Sequence, residues 1–332
     1  MCLPTDILVN VLSRLLVKVL CQFRCVSKER LKLISFEKHF IDSHRKTSLE
    51  NPVLLFAYHY AVNRSNKEYS IGLSSVDVNG RFASCFRKPD DSSYSFFSVS
   101  CAGLVCMFRF NTSIRIINPS IQEIIKLPSH CGNFCEISVG FGFLESRNEY
   151  PIATLLCWPN NSVSEVWCEF FDLKEGEGNY GSCRNVGNYP FHIFDISSPT
   201  CSNGTIYWLG RDKNHIDNRK IMIALDLEKE EFNMVEYPEH YSSMAFLDID
   251  IDCLSLVELK GCLCLVDNSS ENLITDVWML QDPKSQAWVK EYSIGFSALD
   301  DLEAVRCYPM DVREELFYIS YSRNYTTRKL HL

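Results

Sequence analysis

Cys101-Ala-Gly-Leu-Val-Cys106, Ser202-Asn-Gly-Thr-Ile-Tyr-Trp208 and Leu259-Lys-Gly-Cys-Leu-Cys264 share one pattern, a glycine followed by an apolar run that reaches a cysteine or an aromatic. A second half follows some ten to twenty residues on. It is an apolar strand, a polar turn and another apolar strand. It recurs from Ile114-Arg-Ile-Ile-Asn-Pro119 to Leu127-Pro128, from Ile221-Met-Ile-Ala-Leu-Asp226 to Tyr237-Pro238, and from Asp276-Val-Trp-Met-Leu280 to Trp288 and Ile294. The glycines at 103, 204 and 261 stand 101 and 57 residues apart, which fits two blades and one blade of a radial array of four-stranded sheets.

Outward from this repeat the texture is the same. Pro52–Tyr60, Gly103–Phe110, Ile114–Asn118, Ile152–Trp158, Thr205–Gly210, Lys220–Leu227, Leu263–Val266, Asp276–Leu280 and Glu315–Tyr321 are strand-like runs separated by Gly, Pro, Asn, Asp and Ser. Many short strands leave many unpaired backbone edges, and radial closure hides most of them. The 281 residues from Pro52 to Leu332, at roughly 40–50 per blade, predict a mainly β, antiparallel, propeller-like body of about six blades. Seven blades, or a β-sandwich with an extra sheet, are the alternatives.

The first forty-odd residues read differently. Ile7, Leu8, Val11, Leu12 and Leu15 recur at helical spacing, with Thr5 as the expected N-cap after Pro4 and Asp6 in the first turn. Val19, Leu20, Phe23 and Val26 form a second stripe. Ser27 is placed to cap a third helix carrying Leu31, Leu33 and Ile34, and Glu37 to His44 adds a fourth segment. Three to four short helices bury little surface alone, so their stripes need a neighbour. That neighbour is either the β body or another protein. The expected domains are 1–45 and 46–332.

Charge follows the same division. The whole chain carries 33 basic and 42 acidic residues, a net of −9, yet up to Arg45 there are eight basic and four acidic, a net of +4, leaving −13 for the rest. An acidic body disfavours nucleic acid as a partner and favours a basic one. Asn10, Arg14 and Lys18 interrupt Ile7 to Leu20, which is therefore read as neither a membrane span nor a secretory signal, and no membrane partner is expected. The expected compartment is cytoplasm, nucleus or both. Many of the sixteen cysteines sit among apolar neighbours and read as buried thiols rather than disulfides. His130, Cys131 and Cys135 are the one hint of a metal cluster, without a matching second pair, so neither metal nor cofactor is expected.

Leu3-Pro-Thr-Asp-Ile-Leu-Val-Asn-Val-Leu-Ser-Arg-Leu-Leu-Val-Lys-Val-Leu-Cys-Gln-Phe-Arg-Cys-Val-Ser-Lys28, followed by Leu33-Ile-Ser35, resembles the F-box of plant F-box proteins. The body resembles the F-box-associated, β-propeller-like domain. The motifs are Cys101–Cys106, Asn118-Pro-Ser120, Leu127-Pro128, Gly140-Phe-Gly-Phe143, Asn203–Leu209, Leu225-Asp-Leu227 with Glu231-Phe232, and Val277-Trp-Met279 with Trp288. Within that family the pollen S-locus F-box group is similar in layout. Two departures stand out: Leu16 replaces the second proline, and Arg30 stands where the family carries tryptophan.

The resemblance implies a non-catalytic substrate receptor of an SCF-type (Skp–cullin–F-box) ubiquitin ligase. The F-box docks on a Skp-type adaptor and through it on a cullin–RING ligase, and the β domain recruits a target protein for ubiquitination and proteasomal degradation. The adaptor residues are then expected to be Leu3, Pro4, Ile7, Leu8, Val11, Leu12, Leu15, Val17, Leu20 and Val26. From spacing alone, the same stripe packing on the β body is the other reading.

Asp248-Ile-Asp-Ile-Asp252 puts three carboxylates on one face of a strand. A solvated face is the plain reading. The sharper one is that Asp248, Asp250 and Asp252 grip a basic target. A carboxylate hydrolase would need two acids held across a substrate, which one strand does not define. Tyr207 and Trp208 are adjacent, so at most one of them is expected to be exposed as a platform, and core packing is the default. Lys28, Arg30 and Lys32 read as the wet face of the third helix. The sequence carries no Gly-x-Ser-x-Gly, no P-loop and no His-Glu-x-x-His. An interaction scaffold with weakened adaptor binding is the reading that the Leu16 and Arg30 departures permit.

Overall fold

Ala102-Gly103, Asn203-Gly204 and Lys260-Gly261 each hold two consecutive positive φ angles, 45° and 84°, 49° and 72°, 52° and 80°. This is the mirror-image turn whose twist matches antiparallel strands, and its second position favours glycine. Cys101 accordingly faces Leu104, Ser202 faces Thr205 and Leu259 faces Cys262, across two-residue loops. The repeated glycine of the sequence is therefore a hairpin turn.

The computed structural model describes residues 4–50, 53–63, 68–77, 82–88, 97–108, 114–121, 123–127, 135–147, 149–157, 166–173, 184–189, 191–193, 199–212, 220–242, 253–268, 274–295, 307–313, 316–321 and 326–331. Four helices come first: α1 (Thr5–Leu12), α2 (Val17–Arg24), α3 (Lys28–Phe36) and α4 (Lys38–Glu50). Six antiparallel sheets follow among the described residues. The first is β1 (Val53–Asn63), β2 (Glu68–Asp77) and β3 (Phe82–Lys88). The second is β4 (Phe97–Cys101), β5 (Leu104–Phe108), β6 (Arg115–Asn118) and β7 (Glu123–Lys126). The third is β8 (Cys135–Phe141), β9 (Tyr150–Cys157), β10 (Val166–Leu173) and β11 (Arg184–Tyr189).

The fourth sheet holds β12 (Phe191–Ile193), β13 (Thr200–Ser202), β14 (Thr205–Asp212), β15 (Lys220–Asp226) and β16 (Glu231–Val235). Here β12 and β13 pair end to end along the same edge of β14. A short helix, α5 (Glu239–Ser242), precedes the fifth sheet of β17 (Leu254–Leu259), β18 (Cys262–Asp267), β19 (Ile274–Asp282) and β20 (Ala287–Gly295). The sixth is β21 (Cys307–Arg313), β22 (Leu316–Tyr321) and β23 (Thr326–His331). All nine strand runs expected from the sequence coincide with strands, and the count of six sheets matches the expected blades. The chain divides into two compact units, Met1–Tyr94 with Ile117–Ile124, and Ser95–Ile116 with Ile125–Leu332. The expected boundary at 45/46 falls inside α4.

Within the second unit, consecutive sheets stack face to face. Ile206 and Trp208 leave one face of β14 and pack with Ala153, Leu155, Cys168 and Phe170 of the third sheet. Tyr207 and Leu209 leave the other face and pack with Leu254, Leu256, Leu263 and Leu265 of the fifth. On the far side of the third sheet, Ile152 and Phe171 meet Cys106, Phe108 and Ile116 of the second. Each inner sheet thus has both faces covered, which is why its strands read as near-continuous apolar runs rather than alternating ones. Neither Tyr207 nor Trp208 is a surface platform; both are core.

The stacking is close enough to demand glycine. A Cβ on Gly140 would lie 2.5 Å from Cζ2 of Trp208 and 2.8 Å from Cγ2 of Ile206. One on Gly142 would lie 2.4 Å from Cδ1 of Leu227. Trp208 Nε1 donates to Ser138 Oγ at 3.0 Å, satisfying the only polar atom of a fully buried indole. The Gly-Phe-Gly-Phe motif is therefore the seam between two blades, with Phe141 turned into the opposite cluster.

The outer hairpins repeat as well. Asp226 Oδ1 accepts from the amides of Glu228 and Lys229 at 3.0 Å each, and Asp282 accepts from those of Lys284 and Ser285 at 3.0 and 3.2 Å. Glu230 and Gln286 take the left-handed position of these turns. From its turn, the Gln286 side-chain amide reaches the neighbouring sheet. It accepts from Glu236 N at 2.9 Å and donates to Met234 O at 3.4 Å, while Trp288 Nε1 donates to Glu236 O at 3.0 Å.

Candidate functional site

Pro4, not Thr5, is the N-cap of α1, with φ −53° and ψ 142° and no side-chain cap, while Asp6 does sit in the first turn. Proline's preset φ starts the helix one residue earlier than a threonine cap would. Ser27 caps α3 as expected, accepting from Arg30 N at 3.2 Å. Leu16 occupies the N-cap of α2 at φ −60° and ψ 143°. That is the φ a proline would impose, so the departure from the family pattern keeps the backbone geometry and loses only its rigidity.

Val9, Leu12, Leu20, Ile34 and Phe40 form the helical core, with Leu15, Phe23 and Leu33 packed against it. Phe40 stacks on His44 at 6.1 Å, and His44 Nε2 lies 3.1 Å from the carbonyl of Leu15, tying α4 to the α1–α2 corner. The Arg30 guanidinium lies 5.5 Å over the Phe23 ring. It therefore covers apolar surface where the family has tryptophan.

The sequence-expected adaptor residues divide between core and surface. Leu12 and Leu20 are 3% and 4% exposed and belong to the helical core. Leu8, Leu15 and Val17 are half-buried. Pro4 is exposed, as are Ile7 (48%), Val11 (55%) and Val26 (67%). Leu3 lies outside the described residues. Single-stripe reading of α1 merges two faces: Val9 and Leu12, three apart, point inward, while Ile7 and Val11, four apart, point out. The same reading omits Leu16 (72%), Leu31, Phe36 (73%) and Ile41, all exposed. Their signal was present in the sequence as large apolar residues in excess of what a small core can enclose, Leu16 and Phe36 at helix ends and Leu31 and Ile41 within helices. Seven of the ten large hydrophobic side chains exposed among the described residues lie between Ile7 and Ile41.

The β body offers a second region, where turns of neighbouring sheets are laced together. Ser146 Oγ and Arg147 Nη2 donate to the Glu228 carboxylate at 2.6 and 3.2 Å. The Ser146 hydroxyl, and then Arg147, hold that carboxyl below the usual glutamate range against the opposing effect of burial. Asn203 Nδ2 and Ser202 Oγ donate to Gly261 O at 2.7 and 3.1 Å, and Tyr150 OH donates to Ala102 O at 3.4 Å. Asp248, Asp250 and Asp252 lie outside the described residues, as do His130 and Cys131. Among the described residues no group of three or more His, Cys, Asp and Glu could hold a metal ion, and no helix is long and apolar enough to cross a membrane.

Compared with known families, residues 53–324 match the family described as "F-box associated beta propeller domain". The chain belongs to that family. An F-box protein of Arabidopsis thaliana is 27% identical over 323 residues, covering 88% of this chain and 72% of the relative. The Arabidopsis F-box protein CPR1 is 23% identical over 312 residues, covering 88% and 73%. The chain is a plant F-box protein with an F-box-associated domain. Among solved structures, the six-bladed β-propeller lectin of Aleuria aurantia is similar at 8% identity and TM-score 0.38, covering 84% of this chain and 90% of the lectin.

Proposed function

We propose that this protein is a non-catalytic substrate receptor of an SCF-type ubiquitin ligase, acting in the cytoplasm, the nucleus or both. The apolar surface around Ile7 and Val11, which the helical core leaves uncovered, carries the reading. Residues four apart on one helix are the anchors of a helix-in-groove contact, and α1 supplies them. On this reading the head docks on a Skp-type adaptor, and through it on a cullin–RING ligase. The blades take a target protein for ubiquitination and proteasomal degradation. An acidic body favours a basic target, with Asp248, Asp250 and Asp252 as candidate contacts.

The scaffold alternative draws on Leu16 and Arg30. The backbone angles of Leu16 and the cover that Arg30 gives Phe23 support retained docking instead. Co-purification of the full chain with a Skp-type adaptor tests the proposal. The wild type is expected to bind, and Ile7→Asp with Val11→Asp is expected to lose about tenfold or more in affinity with unchanged circular dichroism. Wild-type protein that is folded but does not bind the adaptor overturns the receptor reading.

A further inference from the structure

Of the three mirror-image turns, Ala102-Gly103, Asn203-Gly204 and Lys260-Gly261, the middle one carries a side chain that can react with its own backbone. Asparagine before glycine is the pairing in which a main-chain nitrogen most readily reaches the side-chain carboxamide, because glycine has no Cβ to shield that nitrogen. In this fold the Asn203 carboxamide is engaged elsewhere. Its Nδ2 donates to Gly261 O at 2.7 Å, across the seam to the fifth sheet, and Ser202 Oγ shares that acceptor at 3.1 Å. The turn itself is pinned. Ser202 pairs with Thr205, Asn203 and Gly204 hold φ of 49° and 72°, and Gly204 O accepts from Leu227 N at 3.0 Å. A further bond crosses the same seam from β13, where Thr200 Oγ1 donates to Leu256 O at 2.8 Å. Asn203 is nevertheless exposed to water.

We propose that Asn203-Gly204 is a deamidation site gated by the seam between the fourth and fifth sheets, and that its conversion breaks that seam for good. While the seam is closed, the Gly261 carbonyl holds the carboxamide away from its own chain, and the pinned turn resists the rotation that ring closure needs. When the turn opens locally, the Gly204 nitrogen attacks Asn203 Cγ. The Cγ–Nδ2 bond breaks, ammonia leaves carrying the proton of the Gly204 amide, and a succinimide joins residues 203 and 204. Water then adds to one of the two ring carbonyls and breaks its bond to nitrogen, giving aspartate or isoaspartate. In sum, one amide and one water become one carboxylic acid and one ammonia, with no change of oxidation state. Neither product can remake the clasp. A carboxylate only accepts, so it faces the Gly261 carbonyl without a donor. The Gly261 amide is already taken by Glu258 Oε1 at 2.5 Å and offers it nothing. Isoaspartate also adds a methylene to the main chain, which a two-residue turn does not accommodate. Asn203 lies outside the helical head, so this inference stands independently of adaptor docking.

The test follows the full-length protein in mildly alkaline buffer, folded and in denaturing urea, by peptide mapping and by enzymatic methylation of isoaspartate. In urea, Asn203 is expected to convert to aspartate and isoaspartate. In the folded protein the same conversion is expected to be about tenfold slower or more, because it waits for the turn to open. Thr200→Val removes a separate bond across the seam and leaves the Asn203 turn in place, and it is expected to speed the folded-state conversion severalfold. Asn203→Asp, which installs the product without the reaction, is expected to lower the urea midpoint of the blade transition and leave the helical one unchanged. Absence of conversion in both states overturns the site. Equal rates in folded and unfolded protein overturn the gate, as does a folded Thr200→Val that converts no faster than the wild type. An unchanged blade midpoint in Asn203→Asp overturns the claim that the product breaks the seam.

Discussion

The helical head and the blade stack use the same apolar residue types and dispose of them in opposite ways. In the blades, Leu155, Trp208 and Leu265 lie between two covered sheet faces and are fully enclosed. On the head, Leu12 and Phe40 are enclosed while Ile7, Leu16 and Phe36 face water. Size explains the difference, because four short helices enclose too little interior for all their large side chains. What the blades hide by stacking, the head leaves exposed.

Breaking a blade is expected to have the largest effect. Trp208→Ala removes a fully buried indole that spans the seam and donates to Ser138. It is expected to lower stability by about 3–5 kcal/mol, seen as an earlier midpoint for the blade transition in urea. Leu12→Ala is expected to remove about 2–4 kcal/mol from the head alone. Helical circular dichroism should then melt early while the blade transition stays in place, and a shift of both together would contradict the division drawn above. Gly140→Ala adds one methyl against Trp208 and is expected to cost about 1–3 kcal/mol through overpacking, with Gly295→Ala, which meets open space, as the control.

Leu16→Pro sharpens the comparison from the other side. Because Leu16 already holds a proline-like φ, the substitution is expected to stabilise the head by about 0.4–1 kcal/mol, measured as a raised helical midpoint. The smallest effect is acid sensitivity of the blade turns. For Asp282, the Ser285 hydroxyl and the Lys284 amide hold the carboxyl below the usual range. For Asp226, the Lys229 and Glu228 hydrogen bonds outweigh burial to the same end. A depressed carboxyl stabilises the fold above its unfolded-state pKa, and that contribution disappears as pH falls through the folded value. Asp226→Asn with Asp282→Asn should therefore flatten the acid limb of the blade transition and leave the head's unchanged.

Much of the blade stack was legible because its signals are local. A glycine before an apolar run marks a two-residue turn wherever it occurs, and Asn118, Asp226 and Asp282 announce the outer turns by their side chains. The spacing of Gly103, Gly204 and Gly261 even carried the blade count between them. The head was legible as helices but not as a surface. Which side of α1 faces inward depends on Leu20, Ile34 and Phe40 arriving from three other helices, and no stripe within residues 7–15 records that.

Gln286 has a consequence beyond its own turn. Its carboxamide occupies the outward backbone groups of Met234 and Glu236 in the manner of a further peptide unit. The C-terminal end of β16 is thereby closed to recruitment of a foreign strand, the route by which exposed sheet margins seed fibrils. That end of the sheet is thus spared self-templated polymerisation by two side chains, Gln286 and Trp288.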